Sequence, residues 1–187
     1  GRGCACLIIN AMESDPCVTA DWRILVERTD DVLNGGRRLA ELLGLCEVWL
    51  AVDRSKHRVV SHLAAQSEKR THERGSDRSG TAAGAGGGPG PRVRIAPLVN
   101  KYPQGHPALL VKAICGKEIP LGGNDLSVGA LVIGVGAVAA IESFLRSGMP
   151  VTQRLVTVTG DAVERPGNYL VAVGTPVGDV IGYAGVR

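Results

Sequence analysis

Aromatic side chains are scarce in this chain: two Trp, three Tyr and one Phe among 187 residues. Any core must therefore be built from Val, Leu, Ile and Ala, and a hydrophobic share of 44% is enough to build one. No Cys-x-x-Cys occurs, and Cys4, Cys6, Cys17, Cys46 and Cys115 are odd in number and irregular in spacing. This excludes a readable zinc site or ferredoxin-type cluster, so no metal site is expected. Reduced thiols in a cytoplasmic compartment are the expectation. A charge field of one sign is also missing. The formal charge of +3 comes from Lys and Arg interleaved with acids, which excludes the basic stripe of a nucleic-acid binder. The longest apolar run, residues 128–141, stops at Glu142, short of the roughly 20 residues that a spanning helix needs. No secretory signal stands at Gly1, so direct membrane insertion is not expected.

What is present begins with Ile9-Asn10-Ala11-Met12-Glu13-Ser14-Asp15-Pro16. It follows the apolar run Leu7-Ile8-Ile9, which reads as a buried strand, and sets an amide and two acids where strand gives way to loop. In open α/β sheets, ligands sit outside the carboxyl ends of strands. Asn10 offers both donors and an acceptor there, and Glu13 and Asp15 can order hydroxyls or a cation. An Asx turn that merely shapes the loop explains Asn10 and Asp15 equally well.

Further along, the pattern alternates. Residues 5–9 read as a strand, 22–43 as an interrupted helix closed by Gly44, 46–52 as a strand and 56–65 as a short helix. That order implies a layered α/β fold with a mostly parallel sheet flanked by helices. Residues 66–91, first mixed-charge and then Gly/Ala/Pro-rich, cannot bury enough apolar area to order themselves and are expected to be a disordered, dispensable insertion. A strand at 92–99, a helix at 107–115 opened by Pro107, a strand at 130–133 and a helix to Arg146 complete the first region, 1–149. Residues 150–187 change character, with short strands at 155–159 and 169–173 around the turn Glu164-Arg165-Pro166-Gly167-Asn168, then a helix at 177–184.

Four blocks in this order carry a family resemblance: Ile9 to Pro16 with Thr19-Ala20-Asp21-Trp22-Arg23; Asn100-Lys101-Tyr102-Pro103-Gln104-Gly105; Gly116-Lys117-Glu118-Ile119-Pro120 with Gly122-Gly123; and Arg154-Leu155-Val156-Thr157-Val158-Thr159-Gly160. Together they resemble the Rossmann-like flavin domain of the RnfC family, itself similar to the flavin-bearing subunit of respiratory complex I. Gly160 to Tyr169 resembles the opening of the soluble-ligand-binding β-grasp (SLBB) domain that follows it, which would be incomplete at Arg187.

The resemblance implies a subunit that passes electrons from NADH through FMN to 4Fe-4S clusters beyond Arg187. Its partners would be other subunits of a membrane-bound electron-transport complex, placing it on the cytoplasmic side, peripheral to the inner membrane. It assigns Asn10, Glu13 and Asp15 to the flavin and nicotinamide crevice, with Glu13 as the catalytic candidate, and Lys101 to the flavin's polar end. A solvated loop lysine explains Lys101 as well. The family's phosphate loop lies just upstream of Ile9, and Gly1-Arg2-Gly3 is only a fragment of it, so weak FMN binding by this chain alone is expected. Where the family carries an Asn after the strand at 130–133, this chain has Ile133-Gly134-Val135-Gly136-Ala137. Two other readings follow. One is a truncated or diverged interaction module without cofactor. The other is an NAD(P)-binding unit, because Gly134-x-Gly136-x-x-Ala139, with Asp161 beyond, has the form of a dinucleotide fingerprint.

Overall fold

A computed structural model describes residues 5–13, 15–76 and 91–187. Four parallel strands form the main sheet: β1 (Cys6–Ala11), β2 (Glu47–Asp53), β3 (Arg92–Leu98) and β4 (Ala130–Gly134), in the order β3-β2-β1-β4. Helices α1 (Ala20–Glu27) and α2 (Thr29–Leu43) connect β1 to β2, and α3 (His57–Ser76) connects β2 to β3. Helix α4 (Pro107–Cys115) and a 3-10 turn (Asp125–Val128) lead into β4, which runs directly into α5 (Val135–Ser147).

The hydrophobic pattern explains the layering. β1 alternates, sending Leu7, Ile9 and Ala11 into a core with α1, α2, α3 and α5, and Ile8 into a second core with Leu110 and Val111 of α4. A strand buried on both faces reads as a continuous apolar run. The direction of travel reverses after β3, since β4 lies on the far side of β1. A right-handed crossover then requires α4 on the opposite face from α1–α3. The reversal leaves a topological switch point between β1 and β4, where Asn10 stands in register with Gly134.

The helix expected over 22–43 is two helices. The chain breaks at Arg28 (φ −122°, ψ 34°), and α2 restarts with Asp30 and Asp31 in its first turn. Gly44 closes α2 at φ +67°, a left-handed cap. Composition misleads at 66–76, part of the expected disordered insertion. α3 continues to Ser76 because the polar run is anchored near its start by the buried Ser67. The Arg37 guanidinium donates to the Ser67 carbonyl at 3.0 Å, and the Ser67 hydroxyl donates to the Val93 carbonyl. Residues 77–90 of the expected insertion lie outside the described residues.

Past α5 the chain leaves the sheet. β5 (Gln153–Val158) and β6 (Gly167–Ala172) pair antiparallel with each other, followed by α6 (Val177–Ala184) and a bridge from Val163 to Val186. This small sheet touches the larger unit through α1. No helix of the described residues is long and apolar enough to cross a membrane.

Candidate functional site

The carboxyl ends of β1, β2 and β3 are knitted together by short polar side chains. Asn10 Oδ1 accepts from the Met12 N–H at 3.0 Å, and its Nδ2 donates to the Gly105 carbonyl at 3.0 Å. Asn10 is thus an Asx-turn residue that also ties β1 to the loop after β3. Asn100 Nδ2 lies 3.1 Å from the Glu13 carbonyl and 3.3 Å from Asp53 Oδ2, while Asp53 Oδ1 accepts from the Ser55 N–H at 2.8 Å.

Above this girdle lies a cavity of about 400 Å³, bounded by Asn10, Glu13, Asp15, Asp21, Tyr102 and His106 among others. Three residues singled out in the sequence, Asn10, Glu13 and Asp15, therefore meet. Lys101 does not join them. It is exposed on the neighbouring loop and does not line this cavity. Gly134 sits beside Asn10 across the β1–β4 pair. Gly136 faces a second cavity, of about 470 Å³, between α1, α5 and β5, where Asp21 and Arg154 also lie. A Cβ at Gly136 would stand 3.3 Å from Ile24 Cδ1, so the glycine lets α5 start close against α1.

Glu13 performs a specific local task. Its Oε1 accepts from the Asp21 N–H at 2.7 Å, so Glu13 serves an unsatisfied first-turn donor of α1, and the nearby Trp22 N–H also favours its charged form. Burial pushes its carboxyl above the ordinary 4.5, against those N–H groups; the Asp21 charge adds to the rise and Lys56 opposes it. Burial likewise pushes Asp21 above 3.8. Asp53 goes the other way. Burial works against its charge, but the Ser55 backbone and hydroxyl, the Asn100 amide and Lys56 together hold it below 3.8.

These directions fix a pH dependence. A carboxyl raised by folding binds its proton more tightly in the folded state, so Glu13 and Asp21 cost stability as pH rises from their ordinary values through the raised ones. Asp53 contributes stability above 3.8 that is lost as pH falls through its lower folded value. Melting temperature is expected to pass through a maximum at mildly acidic pH, and Asp21→Asn should flatten the decline on its alkaline side. An unchanged slope in that variant would show that Asp21 is not the group responsible.

Sequence reading missed Asp21, Asp53 and His106 as parts of the site. Asp53 was signalled by its place at the end of β2. His106 was signalled by Pro107, because its ring accepts from the Ala108 N–H as the cap of α4. Asp21 stands in the first motif block, but nothing in the sequence marked it as half-buried or as a wall of both cavities. Among the described residues, no group of three His, Cys, Asp or Glu side chains is placed to hold a metal ion. The dinucleotide fingerprint does not have its fold here. Gly134 lies at φ −68°, a conformation open to any residue, and β5 leaves the sheet instead of returning parallel to β4.

Comparison with known proteins agrees with this architecture. Residues 2–143 match the model of the Nuo51 FMN-binding domain, and residues 155–185 match the SLBB domain. The chain is 35% identical over 186 residues to the C subunit of the ion-translocating oxidoreductase complex of Yersinia pseudotuberculosis serotype O:3 (strain YPIII), covering 100% of this chain and 24% of that protein. It is 30% identical to the C subunit of the proton-translocating ferredoxin:NAD(+) oxidoreductase complex of Clostridium ljungdahlii, covering 95% of this chain and 34% of that one. It thus spans only about a quarter to a third of these relatives. A solved NAD+-reducing NiFe hydrogenase in the H2-reduced state shares the fold with a TM-score of 0.80 at 20% identity, over 97% of this chain and 33% of the hydrogenase chain. With a family model matching most of its length and its four motif blocks in the RnfC order, the chain belongs to the Nuo51 FMN-binding domain family, in the line that includes the C subunits of the ion-translocating oxidoreductase complexes.

Proposed function

We propose that residues 1–149 are the flavin-side domain, and 150–187 the start of the SLBB domain, of a subunit that passes electrons from NADH through FMN to 4Fe-4S clusters carried outside these 187 residues. The subunit works with the other members of a membrane-bound complex, on its cytoplasmic face. One observation carries the reading: at the carboxyl ends of the parallel strands, the segments after β1 and β3 enclose a cavity in which Asn10, Glu13 and Asp15 converge. The residues present fit a flavin in part. Asn10 has spent one donor and one lone pair internally and retains a second donor and a second lone pair for a ring edge. The N-cap of α5 is Gly134, which makes no side-chain cap bond, and among the described residues nothing stands within 4 Å of where its Cβ would be.

When bound, a flavin accepts a hydride's two electrons and releases them singly to one-electron carriers. The chain's own contribution is positional. Asn10 orients the ring edge, and the backbone at Gly134, in register with Asn10, lies beside it. Lys101 sets a positive charge on the outer loop. Asp15, exposed at the mouth, orders hydroxyls of the incoming dinucleotide. Glu13, with its raised proton affinity, sets the charge beside the reacting atoms.

The test uses the complete subunit. Glu13→Gln keeps an acceptor for the Asp21 N–H while removing the charge. It is expected to lower NADH-dependent reduction of an artificial acceptor about tenfold, equivalent to ~1.4 kcal/mol, with flavin content unchanged and a melting temperature no lower than that of the unaltered protein. A complete subunit that retains no FMN, or a Glu13→Gln variant that turns over normally, overturns the proposal.

A further inference from the structure

Thr19 occupies the N-cap position of α1, where a threonine hydroxyl ordinarily accepts from the second or third N–H of the helix. Here it caps nothing. At φ −141° and ψ 10° the residue is outside the extended conformation that capping requires, and its side chain makes no cap bond. The hydroxyl is instead drawn to the small sheet. Asn168 Nδ2 donates to Thr19 Oγ1 at 2.9 Å, the Thr157 hydroxyl donates to Asn168 Oδ1 at 2.7 Å, and the Thr19 N–H donates to Thr157 Oγ1 at 3.2 Å. Thr157 and Asn168 are direct cross-strand partners of β5 and β6, so their side chains reach Thr19 as one unit. The Asp21 N–H, second in the helix and left unserved by Thr19, is the donor that Glu13 takes.

We propose that the Thr157–Asn168 pair of the small sheet is a clasp that decides which side chain caps α1: engaged, it withdraws Thr19 and commits Glu13 to the helix; released, it returns Thr19 to the cap and frees the Glu13 carboxylate into the crevice. Thr157 and Asn168 are accordingly positioning residues, acting through Thr19 and Glu13. The consequence for electron transfer rests on the flavin-crevice reading above, whereas the exchange of caps does not.

The exchange is legible by NMR on the 187-residue chain without flavin or NADH. An amide proton bonded to a carboxylate shifts as that carboxylate takes up a proton; one bonded to a hydroxyl does not. In the unaltered chain the Asp21 amide shift is expected to follow pH through Glu13's titration. Glu13→Gln removes that response and isolates it from the other titratable groups nearby, Asp15, Asp21, Lys56 and His106. Asn168→Ala should flatten that Glu13-dependent response of the Asp21 amide, and adding Thr19→Val, which deletes the competing hydroxyl, should restore it. Thr157→Val provides a second way to open the clasp should Asn168→Ala fold poorly, and a merely destabilised sheet would not be rescued by Thr19→Val. Asp21 amide responses that are the same in Asn168→Ala and the unaltered chain overturn the proposal, as does a flattened response that Thr19→Val leaves flat. In the complete subunit, Asn168→Ala should change the KM for NADH several-fold and Thr19→Val should reverse the change. If the caps exchange while the kinetics stay put, the clasp stands and the role given to Glu13 falls.

Discussion

Gly35→Ala is expected to damage the protein far more than Gly36→Ala, although the two glycines are adjacent, buried and in the same helix. A Cβ at Gly35 would stand 2.6 Å from the Val138 carbonyl oxygen and 3.0 Å from Glu142 Cβ. The first obstacle is backbone of α5, so relief requires the two helices to part. A Cβ at Gly36 would meet Ile9 Cδ1 at 2.5 Å, the far end of a flexible side chain. Overpacking of a tight core costs about 1–3 kcal/mol, and in a chain of this size each kcal/mol lowers the melting temperature by roughly 2–4 °C. The decisive comparison is rescue. Ile9→Val should recover most of the Gly36→Ala loss, whereas Val138→Ala should leave Gly35→Ala as it was, because a backbone oxygen cannot be trimmed. Rescue at Gly35 by Val138→Ala would show that the side chain, not helix separation, sets the closeness of α2 and α5. The matter bears on function because α5 begins at the crevice, and a displaced α5 carries Gly136 with it.

The sequence revealed the sheet well because its strands bury both faces, and a run such as Leu7-Ile8-Ile9 admits few alternatives. It revealed Gly44 and Pro107 because each solves a local backbone problem. α3 was underestimated for the converse reason. Ser67 is polar, yet its hydroxyl and carbonyl both find partners in β3 and α2, and composition cannot anticipate long-range bonds. The site shows the same division. Asn10, Glu13 and Asp15 lie within six positions of one another, so their convergence was visible. Asp21 and Arg154 come to line one cavity only where β5 packs near α1, and nothing local to either residue announces it. Lys101 belongs to the matching motif but stands outside the cavity, which shows that a motif fixes the course of a loop more securely than the direction of each side chain.

Asn10→Ala separates architecture from chemistry at the crevice, and it is expected to affect both. The side chain satisfies the Met12 N–H and the Gly105 carbonyl, each at 3.0 Å. Truncation removes both bonds at a half-buried place where water reaches the freed groups only in part. Each group left without its partner costs about 1–3 kcal/mol when fully buried; partial access to water should hold the total near ~2 kcal/mol, a fall of roughly 4–8 °C in melting temperature. Asn10→Asp tests the two bonds separately. Its carboxylate can still accept from Met12, but it cannot donate to Gly105 and sets a negative charge near that carbonyl. It should therefore keep the turn and lose the tie to the 101–105 loop. If Asn10 also meets the flavin, complete subunit carrying Asn10→Ala will retain less FMN than its stability alone explains. Added FMN will then raise its melting temperature less than it raises that of the unaltered protein, because a ligand stabilises only in proportion to its affinity for the folded state. Equal FMN-induced shifts in the two proteins would confine Asn10 to building the loop, and the ring edge would then have to be recognised by other groups in the crevice.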